Sequence, residues 1–206
     1  SRFISPDLMI AVLGHYFLEK RGEKGIVLQD IRSSKAVGEY LAPYGGEMRT
    51  WKVGRAFAAH KLRELDGVYG GELAGHYYFR DFFYSDSGIL ASIIILNVIA
   101  EMKKKGVSVS QLISRIEKYK SSGEVNYRIE DKKGAMDEIR DYFMSKEEVT
   151  AYMDFDGYRV EFPQWWFNIR PSNTEPYLRF ICEASSDELL KEKLETVNEI
   201  LKTKSG

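Results

Sequence analysis

Between residues 25 and 72 short apolar runs alternate with helical stretches, and this alternation narrows the possible folds more than any other feature of the chain. Ile26-Val27-Leu28 reads as a strand. Ser33 or Ser34 caps a helix that runs to about Tyr44, where Gly45-Gly46 breaks it. Residues 48–53 read as a second strand, 54–65 as a helix and 68–72 as a third strand. Strands separated by helices build a layered α/β domain. Before them, Leu8, Val12 and Phe17 predict a helix over 7–20, with Pro6 in its first turn and Gly22 as its stop. After them, residues 88–105 are apolar nearly all round, which predicts a buried helix ending at Lys103-Lys104-Lys105 and Gly106. Ser108 then caps a short amphipathic helix with Leu112, Ile113 and Ile116 inward.

The polar segment 118–124, with Ser121-Ser122-Gly123, breaks this pattern and places a domain boundary there, giving domains 1–120 and 121–206. Val125, Tyr127 and Ile129 alternate as in a strand with one buried face. Met136, Ile139 and Phe143 line one side of a helix, and Asp156-Gly157 forms a turn between two strands. Strands flank residues 170–179, and Ser185-Ser186-Asp187-Glu188 reads as a capping box. It opens a helix striped with Leu190, Leu194, Val197 and Leu201. The expectation for this part is a small α+β domain, an antiparallel sheet with helices on one face.

Net charge is −1, so no global field favours nucleic acid or an anionic membrane surface as a partner. Cys182 is the one cysteine, which excludes an intramolecular disulfide, and its alternating apolar neighbours predict buried packing. The longest apolar run, 89–100, is too short to span a bilayer, and no secretory signal pattern opens the chain. The expected setting is cytoplasmic. No metal-ligand cluster, P-loop or nucleophile elbow is present, and His15 and His60 sit in helices as structural residues.

Four stretches carry chemistry. Arg170-Pro171-Ser172-Asn173-Thr174-Glu175-Pro176-Tyr177-Leu178-Arg179 brings guanidinium, hydroxyl, amide and loop N–H donors together. That set suits a phosphate dianion, and each charge-assisted hydrogen bond is worth about 1.5–3 kcal/mol. The same residues also suit a plain polar hairpin turn. Gly70-Gly71-Glu72-Leu73-Ala74-Gly75-His76 sets a carboxylate and an imidazole among glycines. Glu72 suits paired sugar hydroxyls and His76 a phosphate contact or a proton transfer; an ordinary strand turn with two polar residues looks the same. Trp51-Lys52-Val53-Gly54-Arg55 opens a helix with two cations, and Asp30-Ile31-Arg32-Ser33-Ser34 lies at a strand's C-terminal end, where α/β folds place ligands.

Taken together and in this order, these stretches resemble the α-D-phosphohexomutase superfamily, and within it the phosphomannomutase/phosphoglucomutase enzymes. Residues 170–176 look like the family's phosphate-binding loop, 71–76 like its sugar-binding loop, and Lys52-Val53-Gly54-Arg55 like its lysine-x-glycine-histidine segment. The resemblance covers essentially all 206 residues. It matches the third and fourth of the family's four domains. The phosphorylated serine of the first and the aspartate-rich magnesium loop of the second have no counterpart here. The expectation is therefore a C-terminal fragment of a longer enzyme, inert without those upstream domains. Three positions depart from the pattern: Ala74 replaces a serine, Arg55 a histidine, and Ser87 an aspartate in the Asp86-Ser87-Gly88 turn.

The resemblance implies phosphate transfer between O6 and O1 of a hexose phosphate, mannose or glucose, through a phosphoserine enzyme and a hexose 1,6-bisphosphate, with magnesium as cofactor. It implies substrate phosphate binding by Arg170, Ser172, Asn173, Thr174 and Arg179, sugar binding by Glu72, Ala74 and His76, and a cleft lined by Arg32, Lys52, Gly54 and Arg55. No residue of this chain would be the nucleophile or hold the metal. A non-catalytic sugar-phosphate-binding module and a phosphoglucosamine mutase stay open as alternatives.

Overall fold

The computed structural model describes residues 3–172 and 175–202. The chain divides into two units, the first running to Lys118 and the second beginning at Tyr119. In the first, Asp7 caps α1 (Leu8–Gly14) by accepting the Leu8 N–H. The helix expected over 7–20 then changes pitch. His15–Lys20 is π-helical, with the Arg21 N–H donating to the Tyr16 carbonyl at 3.0 Å. The wider turn carries Phe17 onto Tyr69 and Phe79, whose rings stack on it at 4.9 and 5.8 Å. Apolar spacing cannot report this widening, because one inserted residue hardly alters the period over six positions.

The alternation of strand and helix follows: β1 (Gly25–Asp30), α2 (Lys35–Leu41), β2 (Gly46–Trp51), α3 (Arg55–Glu64) and β3 (Tyr69–Gly71). Ser34 caps α2, and its Oγ accepts the Ala36 N–H at 3.2 Å. Next come β4 (Tyr77–Phe79), β5 (Ser85–Asp86), α4 (Gly88–Lys104) and α5 (Val109–Ile116). The strands form one sheet in the order β2-β1-β3-β4-β5. The first three are parallel, while β4 and β5 return antiparallel. Val27 packs in the cluster that α1, α2, α4 and α5 supply, and its neighbour Leu28 packs with Ala58 and Leu62 of α3. Successive strand residues point to opposite faces, so helices cover both sides of the sheet. This is the layered α/β arrangement the alternation calls for.

Helix α4 corrects one expectation. It is not buried all round: Ala91, Ile94, Val98 and Met102 face the core, whereas Ile89, Ile93 and Leu96 are 80, 54 and 64 % exposed. A helix in an outer layer has one covered face, and a stripe that is apolar on every side does not show which face that is.

The second unit begins with β6 (Lys120–Ser121) and β7 (Val125–Tyr127), then α6 (Lys132–Met144), β8 (Ala151–Met153), β9 (Tyr158–Glu161), β10 (Trp165–Pro171), β11 (Leu178–Ala184) and α7 (Asp187–Lys202). Its sheet runs β6-β11-β10-β9-β8, with β7 also on β11, and every pairing is antiparallel. Val160, Phe167, Phe180 and Cys182 turn to the face on which Met136, Ile139 and Phe143 of α6 and Val197 and Leu201 of α7 pack. Trp165 lies edge-on to Phe143 and stacks on Phe162, each at 4.7 Å. The alternate residues Trp166, Asn168 and Arg170 occupy the other face. The cap of the last helix lies one residue beyond Ser185 and is a single serine bond, since Leu189 stands where a capping box needs Glu or Gln. Ser185 still donates its N–H to Gln164, so α7 starts at Asp187 with Ser186 Oγ accepting the Leu189 N–H. Among the described residues no helix is long and apolar enough to cross a membrane.

Burial, opposed in part by Ser122, pushes the Cys182 thiol up to about 12. Iodoacetamide should therefore label the native chain only as fast as the second unit opens. Prompt labelling at neutral pH, without denaturant, would show that β11 is not held in the core as described.

Candidate functional site

The carboxyl ends of the three parallel strands bring together residues from distant parts of the first unit, the position at which open α/β sheets place their ligands. Asp30 ends β1 and is buried. Its Oδ1 accepts the Arg32 backbone N–H at 2.7 Å and Nε at 3.3 Å. Its Oδ2 accepts Arg32 Nη2 and the Leu73 N–H, both at 2.8 Å. One carboxylate thus fixes the guanidinium of Arg32 and the first peptide of the 72–76 turn. Beside it, Asp7 accepts the Ser34 N–H at 2.8 Å. Burial lifts the Asp7 carboxyl above the usual carboxylate range, against the pull of its hydrogen bonds to Ser5 and Ser34.

Glu72 follows β3 and is only 2 % exposed. Its Oε2 accepts the Gly54 N–H at 3.1 Å, and its Oε1 accepts the Tyr78 hydroxyl. Burial and then this bond to Glu72 hold the Tyr78 phenol far above its ordinary range, so the proton stays on the tyrosine. A carboxylate has about four lone-pair positions. The Gly54 and Tyr78 bonds use two of these. Gly54 can make its bond because its φ is +128°, a conformation costly for other residues. It opens α3, with Arg55 exposed at the first helical position and Lys52 Nζ 5.8 Å from the exposed Phe57 ring. Backbone bonds from Glu72 to His76 and from Gly75 to Glu72, both 2.9 Å, close the loop and leave Ala74 exposed at its tip. His76 Nδ1 is 2.7 Å from Asp86 Oδ2. Ser87, in place of the family's aspartate, caps α4 by accepting the Leu90 N–H at 3.1 Å.

The second unit carries the other loop. Arg170 on β10 lies directly across from Arg179 on β11 and is buried. Ser172 N–H donates to the Tyr177 carbonyl at 2.9 Å, and Ser172 Oγ accepts the Glu175 N–H at 3.2 Å, which frames the hairpin. Asn173 and Thr174 lie outside the described residues. Arg179 donates to Glu124 at 2.7 Å and to Glu175 at 2.6 Å, so it braces the loop against two carboxylates. Gly157, at φ +68°, presses against the base of the loop. A Cβ there would stand 2.4 Å from Arg170 Cβ and 2.2 Å from the Ile169 carbonyl.

Sequence reasoning singled out Glu72, His76, Gly54, Arg32 and Arg170, but not the groups that hold them. Tyr78 is one ring of the aromatic run 77–79, Asp30 one of several polar residues at the carboxyl end of a strand, and Asp86 part of a turn. The signal available for them was position alone: each lies at the end of a strand or on the adjacent rung. Among the described residues no group of three histidine, cysteine or acidic side chains could hold a metal ion.

Two family models match this chain. Phosphoglucomutase/phosphomannomutase, alpha/beta/alpha domain III, matches residues 5–119, and Phosphoglucomutase/phosphomannomutase, C-terminal domain, matches 124–200. A phosphomannomutase of Methanocaldococcus jannaschii is 35% identical over 195 residues, which cover 95% of this chain and 42% of that protein. The phosphohexose mutases of Xanthomonas campestris pv. campestris are 33% identical over 203 residues, covering 98% of this chain and 44% of the relative. This chain thus spans less than half the length of these curated relatives. The crystal structure of a phosphoglucomutase/phosphomannomutase family protein from Burkholderia thailandensis superposes with a TM-score of 0.82 at 25% identity, over 98% of this chain and 42% of that one. The Paramecium phosphoglucomutase parafusin shares the fold at a TM-score of 0.74 and 16% identity, over 99% of this chain and 43% of that one.

Tyr78→Phe removes a hydroxyl donor from a buried carboxylate and should destabilise the first unit by about 1.5–3 kcal/mol in urea unfolding; an unchanged midpoint would contradict the clasp. Gly157→Ala should cost the second unit about 2 kcal/mol or more, because a Cβ meets the Ile169 carbonyl and the left-handed φ disfavours it. Equal stability of that variant would mean the turn does not press on Arg170.

Proposed function

The chain belongs to the phosphoglucomutase/phosphomannomutase family, and we propose that it is the substrate-holding half of a phosphohexomutase, an isomerase of hexose phosphates. The whole enzyme moves a phosphate between O6 and O1 of mannose or glucose phosphate through a phosphoserine and a hexose 1,6-bisphosphate. Each half-reaction needs the distant phosphate anchored while the near one reacts. Arg170, the Ser172 hydroxyl, Asn173 and Thr174 form that anchor, and Arg179 braces it. Glu72 accepts sugar hydroxyls, Ala74 offers a smaller contact than the family's serine, and His76 adds a ring nitrogen. Lys52 and Arg55 supply positive charge toward phosphate, and Arg32, paired with Asp30, lines the cleft.

The observation that carries this reading is the Arg170 hairpin, framed by its own backbone bonds and braced through Arg179 to Glu124 and Glu175. The names of the relatives, phosphomannomutase and phosphohexose mutases, support hexose phosphates as the substrate class. The phosphoserine and magnesium loops belong to the remaining domains of such an enzyme, and no step assigned to this chain passes through the metal.

The chain alone should bind mannose 6-phosphate or glucose 6-phosphate, seen as a 31P shift change, and show no turnover. In a full-length enzyme Arg170→Ala should raise KM by orders of magnitude. A rise below about threefold, roughly 0.7 kcal/mol, would remove Arg170 from the anchor.

A further inference from the structure

The carboxylate of Asp86 sits where two neighbouring donors meet. Its Oδ2 lies 2.7 Å from His76 Nδ1, and its Oδ1 accepts the Tyr77 N–H at 3.2 Å. The backbone fixes both partners. Asp86 is on the rung opposite Tyr78, and the Ser87 N–H donates to the Tyr77 carbonyl at 3.0 Å. The Asp86 side chain is 18% exposed and that of His76 45%, so the acid is the sheltered member and the imidazole the accessible one.

An ionised carboxylate only accepts hydrogen bonds, so Nδ1 must be the donor and the ring carries its proton there. In the neutral imidazole this leaves Nε2, on the far side of the ring, as an acceptor. An unrestrained imidazole prefers the opposite tautomer, with the proton on Nε2. The protein therefore selects the form that offers a lone pair outward. A hydroxyl of a sugar is a donor that needs such an acceptor, and the turn that carries His76 also carries Glu72.

We propose that Asp86 is the positioning residue for His76: it fixes the Nδ1–H tautomer and so presents Nε2 as a hydrogen-bond acceptor to a sugar hydroxyl. This rests on the reading of residues 71–76 as a sugar-binding loop. Asparagine cannot replace aspartate here. It has one accepting oxygen for two donors, the Tyr77 N–H and the ring N–H, and its amide would donate to Nδ1 and drive the ring proton to Nε2.

The experiment is 15N NMR of the chain with labelled histidine, read on the alkaline plateau of the histidine signals, where the ring holds one proton. The wild-type His76 signals should be those of the Nδ1–H tautomer, and Asp86→Asn should convert them to the Nε2–H tautomer. An Nε2–H form in the wild type overturns the proposal, whether or not the variant folds, and so does an unchanged tautomer in a folded variant. Glucose 6-phosphate, followed by its 31P signal, separates this inference from the reading it rests on. A shifted 31P signal together with a shifted His76 Nε2 resonance supports both. A shifted 31P signal with Nε2 unmoved overturns the role of His76 and Asp86 while leaving phosphate binding intact. Silence of both signals overturns both.

Discussion

Two buried carboxylates hold the ends of the parallel strands in place. Asp30 accepts from Arg32 and from the Leu73 peptide, and Glu72 accepts from the Gly54 peptide and from Tyr78. A loop at a strand end has N–H groups without ladder partners, and leaving them buried and unbonded is costly. Here acidic side chains satisfy them, and each links two loops that are far apart in sequence. The positions of Arg32, the Lys52–Arg55 turn and the 72–76 turn are therefore not independent. Each acid ties two of these segments together.

This dependence explains what was legible in the sequence and what was not. The layered first unit was readable because Ile26, Val27 and Leu28 and the helices after them repeat a pattern set by local periodicity. The antiparallel second unit was readable from the alternation of Val125, Tyr127 and Ile129 and from the Asp156-Gly157 turn between two strand-like runs. The polar loops stood out because glycines and charges cluster there. The partners of those loops did not, because Tyr78 and Asp86 reach Glu72 and His76 across the sheet, and neither spacing nor composition encodes a cross-strand hydrogen bond. The exposed stripe of α4 was misjudged for a related reason. Burial belongs to the layer that covers a helix, and Ile89, Ile93 and Leu96 are as apolar as their buried neighbours.

The two units answer the same electrostatic problem differently. In the first, acids neutralise Arg32 and orient backbone N–H groups, so the charge at the strand ends is mixed. In the second, two arginines stand on one rung of the sheet. Like charges directly opposite are destabilising, and the protein relieves this by giving Arg179 two carboxylates. Arg170 then keeps its charge at the base of the hairpin without a bare arginine beside it.

That division of labour bears on how the hairpin would exchange its cargo. Because Glu124 and Glu175 already compensate Arg179, that arginine does not need a bound anion to offset its charge. A side chain held in advance loses little conformational freedom when an anion is captured beside it. For the same reason its departure leaves no repelling pair behind to force the loop apart. On the function proposed above, the bracing acids suit the hairpin to repeated loading and unloading of a phosphate.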